Sequence, residues 1–225
     1  MKPAFQKLWN YLEEALFPIP SRPGVFNQYR DRIEGIDLPN GPEIRRNNLK
    51  NYLAGFPKRP PVVLVGEAAG PWGARFSGIA FTSERQLAKG VLPFKGEKSS
   101  THEPPYLELS GNIVWKALLP HYPKFLLWNA VPLLAHKPEE PLSIRNPEEE
   151  ELLEFSPILK QVLAVIKPQT VVAVGKSAQF ALNFLKIKSL YVRHPAQHGA
   201  TEFREGIIKI FRNILGDMGV DGAQK

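Results

Sequence analysis

The chain has 225 residues, 43% hydrophobic and 23% charged, which suits one α/β domain with a full hydrophobic core. It contains no cysteine, so disulfides, thiolate metal ligands and iron–sulfur clusters are ruled out, and a reducing cytoplasm is the compartment it fits. Its 29 basic residues against 22 acidic ones leave a net charge of +7, a balance that suits a polyanion such as nucleic acid. No apolar run reaches the ~18–20 residues of a membrane span, and the N-terminus does not read as a signal peptide.

Between Pro3 and Phe17, Leu8, Leu12, Ala15 and Leu16 recur at helical spacing, and Pro18 ends that helix. Pro18 to Pro23 is an irregular connector and Tyr29 to Ile36 a charged segment. Pro42 then opens a helix whose Arg45, Arg46 and Lys50 read as a solvated face. Residues 1–60 thus form an N-terminal helical portion.

Val62-Val63-Leu64-Val65 is an unbroken apolar run rich in β-branched residues, the pattern of a strand buried on both faces. It stops at Gly66 and a lone carboxylate, Glu67, followed by a Gly- and Pro-rich loop that carries Trp72, Phe76 and Phe81. Lys95 to Tyr106 reads as an exposed, mobile loop, and Ser110 as the cap of a helix through Leu118 that Pro120 stops. Phe125 to Asn129 is a second buried run, and Leu133 to Ile144 another loop. Asn146-Pro147, with acids at Glu148 to Glu151, is a helix start: an N-cap, Pro at the first position, and negative charge on the positive end of the dipole. That helix restarts at Ser156-Pro157 and ends at Lys167-Pro168. Thr170 to Gly175 is a third strand, Ser177 to Leu185 a helix and Leu190 to His194 a fourth strand. The last helix, Phe203 to Leu215, lines up Phe203, Ile207, Phe211 and Ile214, and residues 216–225 read as a loose tail after a core of 61–215.

Four short apolar runs separated by helices specify a three-layer α/β/α fold with a mainly parallel four-stranded central sheet. Such sheets bind ligands outside the carboxyl ends of their strands. The residues there are Gly66-Glu67, Asn129, Gly175-Lys176-Ser177 and His194. A P-loop would need glycine at position 170, which is Thr170, and glycines at 66, 70 and 73 do not make the dinucleotide fingerprint. The histidines give no zinc spacing, and no G-x-S-x-G elbow is present, so neither a metal nor another cofactor is expected. What remains is an acid, an amide, an imidazole and aromatics around one pocket. An amide offers a donor beside an acceptor, matching a pyrimidine edge; an aromatic stacks on a base. An imidazole stabilises a departing base, and a carboxylate positions water or stabilises a cationic sugar. The set suits hydrolysis of an N-glycosidic bond on an extruded base.

From Val62 to about Leu215 the chain resembles the uracil-DNA glycosylase superfamily. Gly66-Glu67-Ala68-Ala69-Gly70 looks like its first motif, nearest the Gly-Glu-Ala-Pro-Gly form, and Gly78-Ile79-Ala80-Phe81 like the segment with the base-stacking Phe. Leu126-Leu127-Trp128-Asn129 resembles the strand whose Asn reads the uracil edge, and His194-Pro195-Ala196-Gln197-His198 the second catalytic motif, normally His-Pro-Ser. The resemblance implies a single glycosylase-like domain over residues 1–225, acting as a monomer on DNA that contains uracil or another deaminated base, the first step of base excision repair. It implies catalytic roles for Glu67 and His194 and base contacts from Gly66, Ala68, Phe81 and Asn129. DNA contacts fall to Lys176, Ser177, Arg193, Gln197 and His198, the last where the family inserts a wedge. Ala68 stands where one branch has its water-activating Asp, Gly70 where that branch has a Tyr that blocks thymine, and Ala196 where a Ser would hold a phosphate. Two alternatives stay open: a catalytically idle DNA- or nucleotide-binding relative, and a hydrolase for another base or a free nucleoside.

Overall fold

The structure, a computed structural model, describes residues 1–220, with side chains through Ile214. Its N-terminal part contains α1 (Pro3–Ala15), β1 (Val25–Phe26) and α2 (Gly41–Ala54). There follow β2 (Val62–Ala68), two short helices α3 (Ala74–Ser77) and α4 (Glu84–Ala88), and α5 (Leu109–Leu118) with a 3₁₀ turn at Leu119–His121. After β3 (Phe125–Val131) and β4 (Leu134–Ala135) come α6 (Glu149–Glu154), α7 (Ser156–Ile166), β5 (Thr170–Val174), α8 (Lys176–Phe184), β6 (Leu190–Val192) and α9 (Ala200–Val220).

The four expected strands make one parallel sheet in the order β3-β2-β5-β6, inside a three-layer α/β/α fold. Parallel neighbours need long crossovers, and helices supply them: α5 between β2 and β3, α6 and α7 between β3 and β5, α8 between β5 and β6. β2 lies inside the sheet and is covered on both faces, so Val62 to Val65 are wholly buried, as their unbroken apolar run requires. Val62 pairs with Phe125 on one side and Thr170 on the other, so the strands start level and their carboxyl ends open on one rim. A separate two-stranded ribbon pairs β1 with β4, Val25 opposite Ala135. On α9 the expected stripe of Phe203, Ile207 and Phe211 is buried, with Ile214 packed at its edge.

The face of α2 is not simply solvated. Arg45 is fully buried and donates to Asp37 at 2.9 Å, while Arg75 of α3 grips the same carboxylate with two bonds of 2.8 and 2.7 Å. Burial alone would raise the pKa of Asp37, but the two guanidiniums outweigh it and hold the carboxyl below its ordinary range. Arg46 donates to the carbonyl of Tyr29. This cluster ties the loop after β2 to the segment before α2.

Lys95 to Tyr106 is likewise not the free loop that its composition suggests. Buried Glu84 accepts from the amides of Ser99 (3.1 Å), Ser100 (3.2 Å) and Tyr106 (2.9 Å) and from the Ser100 hydroxyl, and both serines are fully buried. Helix starts also differ. Glu108, not Ser110, is the N-cap residue of α5, and α6 begins after Glu148 rather than Asn146, its cap amide bonded to the Glu151 carboxylate at 2.9 Å. α9 runs on to Val220, past the expected end at Leu215, and the last residues of the expected tail, 221–225, lie outside the described residues. Among the described residues no helix is long and apolar enough to cross a membrane.

Removing Asp37 would leave two buried guanidiniums facing each other. Asp37→Ala is expected to lower the unfolding free energy by about 3–5 kcal/mol in urea melts. A loss below about 1 kcal/mol would mean that the cluster is solvated in solution.

Candidate active site

Where β2 ends, one glycine sets the spacing. Gly66 pairs with Asn129 across the β2–β3 register, and a Cβ built on Gly66 would lie 2.6 Å from Asn129 Oδ1 and 2.6 Å from Phe81 Cε2. The ring and the carboxamide therefore meet over a bare backbone. Phe81 reaches this place with φ of 53°, in the left-handed region that costs a non-glycine residue about 1–3 kcal/mol. Its neighbours hold it there. The Ser77 hydroxyl accepts from the Ile79 amide (3.0 Å) and donates to the Thr82 carbonyl (2.6 Å), Trp115 donates to the Thr82 hydroxyl (2.9 Å), and Tyr29 donates to the Gly78 carbonyl (2.8 Å).

Beyond this point a cavity of about 380 Å³ opens at the carboxyl end of the sheet. Glu67, Ala68, Phe81 and His194 line it, so four of the expected residues share one space. Asn129, 5% exposed, is in the interior of β3 rather than at its end; it does not line the cavity but stands behind it, against Phe81. No hydrogen bond engages its carboxamide among the described residues. The rings of Phe81 and His194 are 6.0 Å apart.

Glu67 is half-buried, and its Oε1 has no partner. Burial raises its pKa, and the hydroxyl of Ser177 offsets part of the rise. His194 follows β6, and its Nδ1 accepts from the Ala196 amide at 3.1 Å. An accepting Nδ1 carries no proton, so the neutral ring keeps its proton on Nε2. Burial lowers the pKa of this imidazole and favours that neutral form.

The residues expected to meet DNA occupy the two turns after β5 and β6, outside the cavity lining. Lys176 is exposed at the first position of α8, and Ser177 is beside Glu67. Arg193 turns back on its own loop, donating to the Gln197 carbonyl at 3.0 Å and pairing with Glu202 at 3.5 Å. Gln197 and His198 are exposed, with φ of 51° and 65°, at the tip of the turn. At the cavity mouth stand Leu109, 72% exposed, and Ile144, 63% exposed.

One ionisable group of the cavity was not legible in the sequence. Glu108 lines it, and a Cβ on Gly70 or Gly73 would overlap the Glu108 carboxyl. The only sequence signal was indirect: two small residues after β2 leave room, with nothing to say which side chain fills it. Arg145 also lines the cavity, but its guanidinium is held by Glu151 (2.7 and 2.5 Å) and by the carbonyls of Gly24 (2.9 Å) and Asn146 (3.1 Å).

The sequence profile of the uracil DNA glycosylase superfamily matches residues 54–214. The chain belongs to that superfamily, whose members are hydrolases of N-glycosyl bonds. Among solved structures it is similar to wild-type SMUG2 of Pedobacter heparinus, at 16% identity and a TM-score of 0.64, over 97% of this chain and 100% of that one. At that identity the likeness is one of fold. No curated protein matches the chain.

The hydrogen bond to Nδ1 fixes what nitrogen NMR of His194 should report. At pH 7 the ring is expected to be neutral with its proton on Nε2, and to titrate below the ordinary histidine value. A charged ring, or a proton on Nδ1, would contradict this geometry.

Proposed function

We propose that the protein is a monofunctional DNA glycosylase that hydrolyses the N-glycosidic bond of uracil, or a related deaminated base, in DNA. The observation that supports it is the meeting of Glu67, His194 and Phe81 on one cavity, with the Asn129 carboxamide against the Phe81 ring. The cavity can take a base only when that base leaves the stack, as glycosylases require. Phe81 stacks on the extruded base, Gly66 and Ala68, with no side chain and a single methyl, let the backbone come close to it, and Asn129, behind Phe81, carries the paired donor and acceptor that the base edge requires.

Dissociative cleavage leaves positive charge on the sugar and negative charge on the base. Glu67, ionised, stabilises the first and orients the attacking water; the Nε2 proton of His194 meets the oxygen on which the second develops. The water oxygen bonds to the sugar carbon, its proton is released, and the base leaves with the bonding electron pair. No lysine lines the cavity among the described residues, which favours hydrolysis over a Schiff base. Lys176, Ser177, Arg193, Gln197 and His198 face the phosphates, supported by the net charge of +7, with Arg193 acting partly through the shape it gives its loop. A cysteine-free chain fits work in the reducing cytoplasm, as a monomer.

Single-turnover excision tests the division of labour. Glu67→Gln and His194→Ala are each expected to slow it by about 10²–10³, with DNA affinity and melting temperature little changed. Because Glu67 must be ionised and its pKa is raised, the parent rate should fall as pH drops through a value above that of an ordinary glutamate, and this acid limb should vanish in Glu67→Gln. Near-normal rates in both variants would remove these residues from the chemistry.

A further inference from the structure

The cavity holds a second acid that the chemistry above does not use. Glu108 is the N-cap residue of α5, yet its side chain makes no cap hydrogen bond. The carboxyl turns the other way, over the bare backbone of Gly70 and Gly73, and fills the space where a side chain at position 70 would project. It lines the same cavity as Glu67 and His194. Its Oε2 is buried and has no partner. Buried polar atoms nearly always have partners, so an orphan aimed into a ligand cavity points to a group that arrives with the ligand.

The protonation state follows from the surroundings. An ionised carboxylate without a partner is costly in such a place, and the neutral acid is the form that burial favours. The other charged or titratable groups on the cavity are Glu67, His194 and Arg145. Arg145 is held by Glu151, His194 is neutral, and an ionised Glu67 only makes a second negative charge harder to place. Burial pushes Glu108 up to about 7. The folded protein thus holds this proton more tightly than the unfolded chain. Stability should fall as pH rises from the ordinary glutamate value towards 7, and replacing the acid by its neutral amide should remove that fall.

We propose that Glu108 recognises the extruded nucleotide as a neutral carboxylic acid, its hydroxyl donating a hydrogen bond to an acceptor atom of the base. This rests on the glycosylase reading and adds a specificity group to it. Phe81, with Asn129 behind it, addresses the base from one side of the cavity, and Glu108 addresses it from the wall formed by Gly70 and Gly73. A base with an acceptor on that side is held; above neutral pH the same wall becomes an acceptor itself and repels it.

The test measures binding without catalysis. A duplex carrying one 2′-fluoro-2′-deoxyuridine, which resists cleavage, is titrated at pH 6 and pH 8 beside the same duplex with an abasic tetrahydrofuran at that position, which has no base and so no acceptor for Glu108. The ratio of the two affinities cancels the titration of surface histidines. For the parent this preference is expected to fall about tenfold between the two pH values, following the loss of the neutral acid. Glu108→Gln, which cannot ionise, should keep its preference at both, and Glu108→Ala should be weaker than the parent at pH 6 and insensitive to pH. A pH dependence in Glu108→Gln equal to the parent's, or a parent with no preference or an unchanged one, would overturn the proposal. If Glu108 only shapes the fold, Glu108→Gln changes the melting temperature and leaves the parent's affinity curve in place, which also overturns it. Excision from the cleavable deoxyuridine duplex is read separately. The predicted binding pattern without excision refutes the glycosylase reading and keeps the Glu108 site; excision without the pattern does the reverse.

Discussion

Phe81 and Asn129 lie against each other because Gly66, between them on β2, has no side chain: a Cβ there would stand 2.6 Å from atoms of both. Everything else in the site is arranged around that close approach. The β2–β3 register sets Asn129 opposite Gly66, and the hydrogen-bonded loop from Ser77 to Thr82 forces Phe81 into a backbone conformation that it would not choose alone. The buried cluster of Asp37, Arg45 and Arg75 fastens the start of that loop to the helical N-terminal part. The N-terminal residues thus matter to the site although none of them lines the cavity.

The carboxyl groups around the site and its scaffold divide into two kinds. Asp37, Glu84 and Glu151 are each satisfied by named donors, and of these Asp37 and Glu151 are held below the ordinary carboxylate range; their work is to hold loops. Glu67 and Glu108 line the cavity and each keeps one buried oxygen without a partner, Glu67 having only the Ser177 hydroxyl beside it, and both have raised pKa values. Carboxyl groups of the first kind belong to the scaffold. Those of the second kind are the ones that the proposed glycosylase function assigns to substrate.

Much of this was legible in the sequence, for a physical reason. Strands buried on both faces must be apolar throughout, so Val62 to Val65, Phe125 to Trp128 and Thr170 to Val174 stand out, and so does the polar Glu67 that ends the first run; His194 follows the shorter run Leu190 to Val192, of which only Val192 is buried. Asn129 was found in the same way, although β3 continues two residues past it. What escaped depends on partners far away in the chain. Arg45 looks like any basic residue on a helix until Asp37 and Arg75 close over it, and Ser99 and Ser100 look like loop serines until Glu84 collects their donors. Glu108 carries no periodic signal at all, because its place is defined by the two glycines beneath it. The extension of α9 past Leu215 was hidden by Gly216 and Gly219, whose low helix propensity reads as a stop.

The proposed function requires that the protein free a base from DNA. The most direct measurement is to incubate the parent with a duplex carrying a single deoxyuridine and to follow free uracil by mass spectrometry together with the state of the strand. A monofunctional glycosylase releases one free base per site and leaves an abasic strand that stays intact until alkali cleaves it, and that is the result expected. Strand scission without alkali, or the absence of free base from uracil and every other deaminated base tried in its place, would contradict it.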